Sequence, residues 1–212
     1  MAAKPKQTRT CGSIIVVSAP SGSGKSTLVQ RLLAAIPGLR FSVSYTTRPP
    51  RLGEKNGREY FFVSRRTFRR MVAAGEFIEW AEVFGQLYGT AQKQLRLAQE
   101  AGQDVLLDID VQGHAQLRRK LPEAVSIFVL PPSYGELERR LRRRHSDTPE
   151  VIERRLGEAR QEIRHWTEYD YLVVNDRLAQ ATKELRAIVE AARARREVRE
   201  VHAREISQTF GG

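Results

Sequence analysis

Ser18-Ala19-Pro20-Ser21-Gly22-Ser23-Gly24-Lys25-Ser26-Thr27 follows the apolar run Ile14-Ile15-Val16-Val17 and leads into a helical pattern carrying Leu28, Leu32, Leu33 and Ala35. A short buried strand, a glycine-rich turn and a helix start form the context that a phosphate-binding loop requires. Gly22 and Gly24 let the backbone curl so that successive N–H groups face inward. These donors, with the positive end of the helix, attract phosphate. Lys25 reaches terminal phosphates as a point charge, and the Ser26 hydroxyl suits Mg²⁺. The pattern G-x-x-x-x-G-K-[ST] is met except that Ala19 stands at its first glycine. A plain strand-to-helix turn would need neither the lysine nor the serine after the second glycine.

The 212 residues are 41% hydrophobic and 29% charged, the balance of a globular chain able to bury a real core. No apolar run approaches the roughly 20 residues of a membrane span. Met1 to Thr10 is polar and basic without an apolar signal core, so it is expected to be a disordered leader (1–11) on a cytoplasmic protein. The single cysteine, Cys11, leaves no internal disulfide and no cysteine metal site. His114, His145, His165 and His202 share no ligand spacing.

The net charge of +11 raises nucleic-acid binding as a reading. Seven lysines and 29 arginines carry the positive charge, and arginines crowd into Arg139 to Arg160 and Arg186 to Arg204, interleaved with glutamates. Interleaving argues for solvated helix faces rather than a groove that tracks phosphates. Polyanionic small substrates also favour arginine.

In chain order the pattern predicts a strand over 13–18, a helix over 25–36 closed by Pro37-Gly38, and a strand over 39–44. Tyr45 to Glu54 reads as a loop by its prolines, with Arg48 and Arg51 three apart. Paired guanidinium forks suit a phosphate monoester, although a solvated basic turn would read the same way. A strand over 57–63, a short helix over 67–74, a strand over 77–83, a turn over 85–90 and a helix over 91–101 follow. The strand-rich stretch 43–90 interrupts the β-α-β rhythm and reads as an inserted lobe. Val105-Leu106-Leu107-Asp108-Ile109-Asp110 resumes the rhythm and delivers carboxylates at a strand end, where a parallel sheet meets its ligand. Beyond it come a strand over 124–130, an arginine-rich helix over 134–144, a helix over 149–166 with Thr148 at its N-cap, a strand over 171–176 and a helix from Leu178 past Ala192.

Over Gly12 to Ala192 the chain resembles bacterial guanylate kinases, in several separate motifs that occur in the right order. These are A-P-S-G-S-G-K-S-T, F-S-V-S-Y-T-T-R-P-P-R-x-G-E, E-Y-F-F-V, G-E-F-I-E-W-A-E-V-F-G-x-x-Y-G-T, D-I-D-x-Q-G and V-V-N-D. The resemblance implies an α/β fold: a P-loop three-layer core with a parallel sheet (12–43, 91–135 and 156–192), an inserted mixed α+β GMP-binding lobe (44–90) and a helical lid (136–155). It implies transfer of the ATP γ-phosphoryl group to GMP, and to dGMP, with Mg²⁺.

Carried over by position, the resemblance assigns ATP to Ala19, Pro20, Ser21, Gly22, Ser23, Gly24, Lys25, Ser26, Thr27 and Asn175, the last near adenine. It assigns the guanine to Ser44, Glu79 and Thr90, and the GMP phosphate to Arg48, Arg51, Tyr60 and Tyr88. Asp108 and Asp110 support nucleotide and metal; Ser26, with Asp108 through water, holds Mg²⁺. Lys25, Arg140, Arg144 and Arg155 clamp the transferring phosphoryl. Arg143 and His145 depart from the glycines of many relatives, which bears on lid hinging.

Guanine offers adjacent N1–H and N2–H donors that a single carboxylate accepts together. Adenine lacks that pair and would leave a buried Glu79 unpaired, a mismatch that rejects a substrate by about 10⁴-fold. Strand alternation alone is equally compatible with a solvent-facing Glu79 whose neighbours face inward. A rival reading is a catalytically inactive interaction module on the same fold, against which the intact Gly24-Lys25-Ser26 and the lid arginines speak. The tail, 193–212, lies beyond the resemblance and reads as a frayed helical extension and candidate homo-oligomer contact.

Overall fold

The computed structural model describes residues 12–143 and 148–211. The expected leader, Cys11, and the lid residues Arg144 and His145 lie outside the described residues. The chain opens with β1 (Ile14–Ser18), α1 (Lys25–Ala35), β2 (Leu39–Phe41), β3 (Tyr45–Thr46), β4 (Phe61–Phe62), α2 (Arg65–Ala73), β5 (Phe77–Val83) and β6 (Gln86–Ala91). It continues with α3 (Gln92–Glu100), β7 (Asp104–Asp108), α4 (Val111–Lys120), β8 (Val125–Leu130), α5 (Tyr134–Arg142) and α6 (Pro149–Glu162). A 3-10 turn (Ile163–Glu168), β9 (Tyr171–Val174), α7 (Leu178–Arg193) and α8 (Arg196–Gln208) complete it.

Five parallel strands in the order β2-β7-β1-β8-β9 make the core sheet, and β4-β3-β6-β5 make a second sheet of mixed direction. Strand β1 is apolar on both faces because both are covered. Ile15 and Val17 pack with Leu28 and Leu32 of α1 and with Ala181, Leu185 and Val189 of α7. Ile14 and Val16 pack on the opposite face with Leu95 of α3 and Leu117 of α4. The register pairs Val17 with Asp108, so the phosphate loop and the acidic end of β7 leave the sheet side by side. Asp104, fully buried, ties this core together: it accepts from the Ser13 amide at 2.9 Å and pairs with Arg193 at 2.7 Å.

Several elements depart from the sequence reading. The expected turn over 85–90 is strand β6, paired antiparallel with β5. Gly89 looks like a turn residue but serves packing: a Cβ there would lie 3.0 Å from the Phe77 ring and 3.1 Å from that of Phe68. The actual turn is Phe84-Gly85, both at positive φ (51° and 73°), as a two-residue type I′ hairpin requires. The expected strand over 57–63 contracts to Phe61–Phe62, and Tyr45–Thr46, read as loop, is a strand beside it. Helix α4 was not legible, because Gly113 and the polar His114 occupy inward positions of its pattern. Its start is fixed by Asp110, whose side chain accepts from the Gly113 amide at 2.8 Å, a cap worth about 1 kcal/mol. The helix expected over 149–166 ends at Glu162 in a 3-10 turn, and Thr148 sits at its N-cap position without a side-chain capping bond.

The tail forms a separate helix, α8, with no buried residue, in place of a frayed continuation of α7. The arginine-glutamate interleaving resolves into pairs one turn apart, such as Arg142–Glu138 at 2.7 Å, Arg186–Glu190 at 2.7 Å and Arg204–Glu200 at 2.6 Å. No helix among the described residues is long and apolar enough to cross a membrane.

Candidate active site

The phosphate loop is shaped by two positive-φ glycines, Gly22 at 92° and Gly24 at 86°. Neither position has room for a side chain: a Cβ would lie 2.9 Å from Leu141 at Gly22 and 2.5 Å from the Asn175 amide at Gly24. Within the loop, the Ser23 amide donates to the Pro20 carbonyl at 3.1 Å, and the Ser23 carbonyl is held from outside the loop. Ser23 O accepts from Asn175 Nδ2 at 2.7 Å, and Arg140 reaches the carbonyl of Asn175 at 2.9 Å. Lys25 opens α1, and its Nζ lies 2.5 Å from Asp108 Oδ1 and 3.3 Å from the Ile109 carbonyl. The lysine head is thereby held at the end of β7. Glu162, at the end of α6, accepts from the Ser21 amide at 3.2 Å, and burial raises its carboxyl above the usual range.

Opposite the loop, the second sheet presents a polar wall. Glu79 is only 3% exposed while its neighbour Trp80 is 40% exposed. A register irregularity between Phe77 and Glu79 accompanies this inward turn of the carboxylate. The solvent-facing alternative for Glu79 is therefore excluded. Burial pushes its carboxyl up to about 7, opposed by hydrogen bonds from the Thr90 hydroxyl and amide and reinforced by the charge of Asp110. Ser44 Oγ lies 3.5 Å from Thr90 Oγ1. Tyr60 and Tyr88 meet edge to face with ring centroids 5.8 Å apart. Burial, with the charge of Asp108 adding to it, pushes the Tyr60 phenol up to about 12, so it remains a donor at neutral pH.

One cleft joins the two halves. Ala19 to Ser26 form its floor with Asp108 and Asp110; Ser44, Arg51, Tyr60, Glu79 and Tyr88 form the facing wall, and Arg155 and Glu162 come from α6. This arrangement puts an anion cradle with a fixed cation on one side and a buried carboxylate with phenols and a guanidinium on the other. A guanylate kinase family model matches residues 12–192.

The chain belongs to the guanylate kinase family.

Among curated relatives, it is 60% identical over 188 residues to a guanylate kinase of Koribacter versatilis, covering 87% of this chain and 81% of the relative. It is 54% identical over 181 residues to one from Dechloromonas aromatica, covering 85% and 90%. The crystal structure of a guanylate kinase from Anaplasma phagocytophilum superposes with a TM-score of 0.72 at 39% identity, covering 86% of this chain and 87% of that one.

Within this guanylate kinase architecture the described residues singled out from sequence fall into three groups. Most line the main cleft. Thr27, Arg140 and Asn175 line a second opening behind the loop, with Arg143, Asp176 and Leu178, and the two openings share Gly22 and Gly24. Thr90 and Arg48 stand behind the cleft wall. Arg48 donates to both carboxylate oxygens of Glu54 at 2.8 and 2.9 Å and lies 5.4 Å from the Tyr60 ring centroid, while Arg51 alone of the pair lines the cleft. Sequence reasoning passed over Glu162, Phe84, Gly113 and Glu54. Glu162 sits in a helix crowded with charge and offers no signal. Gly113 had one: a glycine inside the quoted D-I-D-x-Q-G motif that no turn required.

Proposed function

We propose that the chain works as an ATP:GMP phosphotransferase, converting ATP and GMP to ADP and GDP, with dGMP, which has the same base edge and phosphate, as a further substrate. The observation that carries this reading is the buried Glu79 facing the phosphate loop across one cleft. Its two oxygens match the N1–H and N2–H donors of guanine, with Ser44 beside it in the cleft and Thr90 hydrogen-bonded to it. Once guanine is seated, the carboxylate gains charged hydrogen bonds that offset its burial.

The acceptor phosphate is read as lying against Arg51, Tyr60 and Tyr88, with Arg48 bracing Tyr60. An anionic oxygen of that phosphate attacks the γ-phosphorus in line, so no side chain must take a proton. A new P–O bond forms, the bond to the β-phosphate oxygen breaks, and the electron pair leaves with ADP. The chain supplies position and positive charge: loop amides on the β-phosphate, Lys25 on the transferring group, and Arg140, Arg144 and Arg155 around it. The second opening, beside Asn175 and Leu178, suits the adenine.

Ser26, at the start of α1, and Asp108, at the end of β7, line the same cleft, and this hydroxyl and carboxylate set fits Mg²⁺, which keeps water and substrate oxygens in its shell. Bound there with ATP, Mg²⁺ would neutralise charge on the β- and γ-oxygens. Functionally, 12–43, 91–135 and 156–192 serve as the core, 44–90 as the GMP-binding lobe and 136–155 as the lid. The complete set of loop lysine, serine and facing carboxylate supports the enzyme over an inactive interaction module.

A coupled assay of ADP release with each nucleoside monophosphate tests the assignment. GMP and dGMP should turn over, and AMP should be worse by about 10⁴-fold in kcat/KM. Comparable rates with AMP and GMP would overturn it.

A further inference from the structure

The hairpin between β5 and β6 turns on Phe84 and Gly85. Phe84 is the only non-glycine among the described residues with positive φ, at 51°. Asn, Asp or Gly takes the first position of a type I′ turn with least strain, and a bulky aromatic is out of place there. Packing within its own lobe does not explain it: the ring is 39% exposed, and it joins none of the apolar clusters, including that of Phe68, Met71, Phe77 and Leu87.

The ring instead meets helix α6. Arg154 Cζ lies 5.0 Å and Arg155 Cζ 5.9 Å from its centroid, both within cation–π range. Phe84 and Arg155 line the same cleft. Helix α6 also carries Glu162, which holds the Ser21 amide of the phosphate loop. A strained, exposed aromatic at the tip of the substrate-side sheet therefore touches the helix that presents cationic and anionic groups to the loop. Strain persisting at such a place points to a functional demand.

We propose that Phe84 is a positioning residue for phosphoryl transfer: its ring seats the Arg155 guanidinium at the cleft and, through Arg154, ties the β5–β6 hairpin to α6. Movement of the lobe onto its nucleotide then delivers Arg155 as well. This rests on reading Arg155 as part of the phosphoryl clamp.

The test measures kcat, KM for GMP and Tm for Phe84→Asn, Phe84→Tyr, Arg155→Lys and the double variant Phe84→Asn with Arg155→Lys. Asparagine tolerates the backbone and lacks the ring, so Phe84→Asn should keep or raise Tm while kcat falls about 10-fold, the scale of losing partly desolvated cation–π contacts. KM for GMP should change less than about 2-fold, because Glu79 and the phosphate-side groups are untouched. Phe84→Tyr, which keeps the ring, should restore kcat. Arg155→Lys keeps the charge but loses the planar stack; it should lower kcat, and Phe84→Asn should cost little more in that background. Wild-type kcat in Phe84→Asn, or fully additive losses in the double variant, would overturn the proposal. Wild-type kcat in Arg155→Lys would instead remove the clamp role of Arg155 on which it rests.

Discussion

Gly113 and Glu79 face each other so closely that a Cβ on the glycine would lie 2.5 Å from the Glu79 Oε2 atom and 3.2 Å from its carboxyl carbon. The first turn of α4 thus forms the back wall of the buried carboxylate. Gly113→Ala adds a favoured helix former at a position without positive φ, so helix propensity alone predicts a gain. The expected result is the opposite for function. The methyl displaces Glu79, kcat/KM for GMP falls by about 10²-fold, as for losing a base-reading hydrogen bond, and ATP affinity is unchanged. Titration of each nucleotide checks this; equal activity would show that the carboxylate has room to move.

Glu79 itself sets a pH dependence. Burial raises its carboxyl from the ordinary 4.5 to about 7, so the folded protein binds a proton there that the unfolded chain does not hold between those values. Its cost to stability is absent below pH 4.5, grows through that window and is complete above pH 7. Glu79→Gln should therefore melt higher than the parent at pH 8 and close to it at pH 4. Guanine reading needs the ionised form, so kcat/KM for GMP should drop as pH falls below about 7, and this limb should vanish in the variant.

The same substitution tests base choice. A glutamine presents one acceptor and one donor, so activity with GMP should fall by about 10²-fold, while IMP, which lacks the N2 amine, should suffer less. An unchanged GMP-to-IMP ratio of kcat/KM would place guanine specificity elsewhere.

Lys25 is held by Asp108 at 2.5 Å, beside the loop amides rather than in the core. Lys25→Ala should lower kcat by about 10³-fold or more while the far-UV circular dichroism spectrum stays unchanged. Near-normal turnover would remove Lys25 from the phosphoryl-transfer step.

Removal of residues 196–212 should leave kcat and Tm close to the parent, because α8 buries no residue. Extending the cut through Arg193 should not be neutral, since it removes the guanidinium that lies 2.7 Å from the buried Asp104 carboxylate and frees the Pro37 carbonyl. Loss of a contact to a fully buried carboxylate should lower Tm, and thermal melts of the two truncations separate these outcomes.

Much of the core was legible because its signals are local. Ile14 to Ser18, the loop glycines with Lys25, and the acids ending Asp104–Asp108 each announce an element and a chemistry within a few residues. The lobe was legible only in part, because its signals are tertiary. Gly89 mimics a turn residue, yet its conformation is ordinary and its small size is set by aromatic rings from other strands. Helix α4 hid behind Gly113 and His114, both buried in the folded chain. His114 stacks on Tyr169 at 3.8 Å, and burial pushes its imidazole down to about 4, so it packs as a neutral ring. Glu162 and Phe84 act across elements far apart in sequence, which no window of residues reveals.

The Asp104 junction has a consequence for how the protein is made. It draws together Ser13, Asp104 and Arg193, and α7 fills the same apolar layer as β1 and α1. During synthesis the phosphate loop emerges early but lacks the helix that completes its underlying layer until residue 193 has cleared the ribosome. The β3–β6 sheet spans only Tyr45 to Ala91, so its pairings are all available while the rest of the chain is still being translated. The nascent chain can thus pair its β3–β6 sheet first and complete the apolar layer beneath the phosphate loop last.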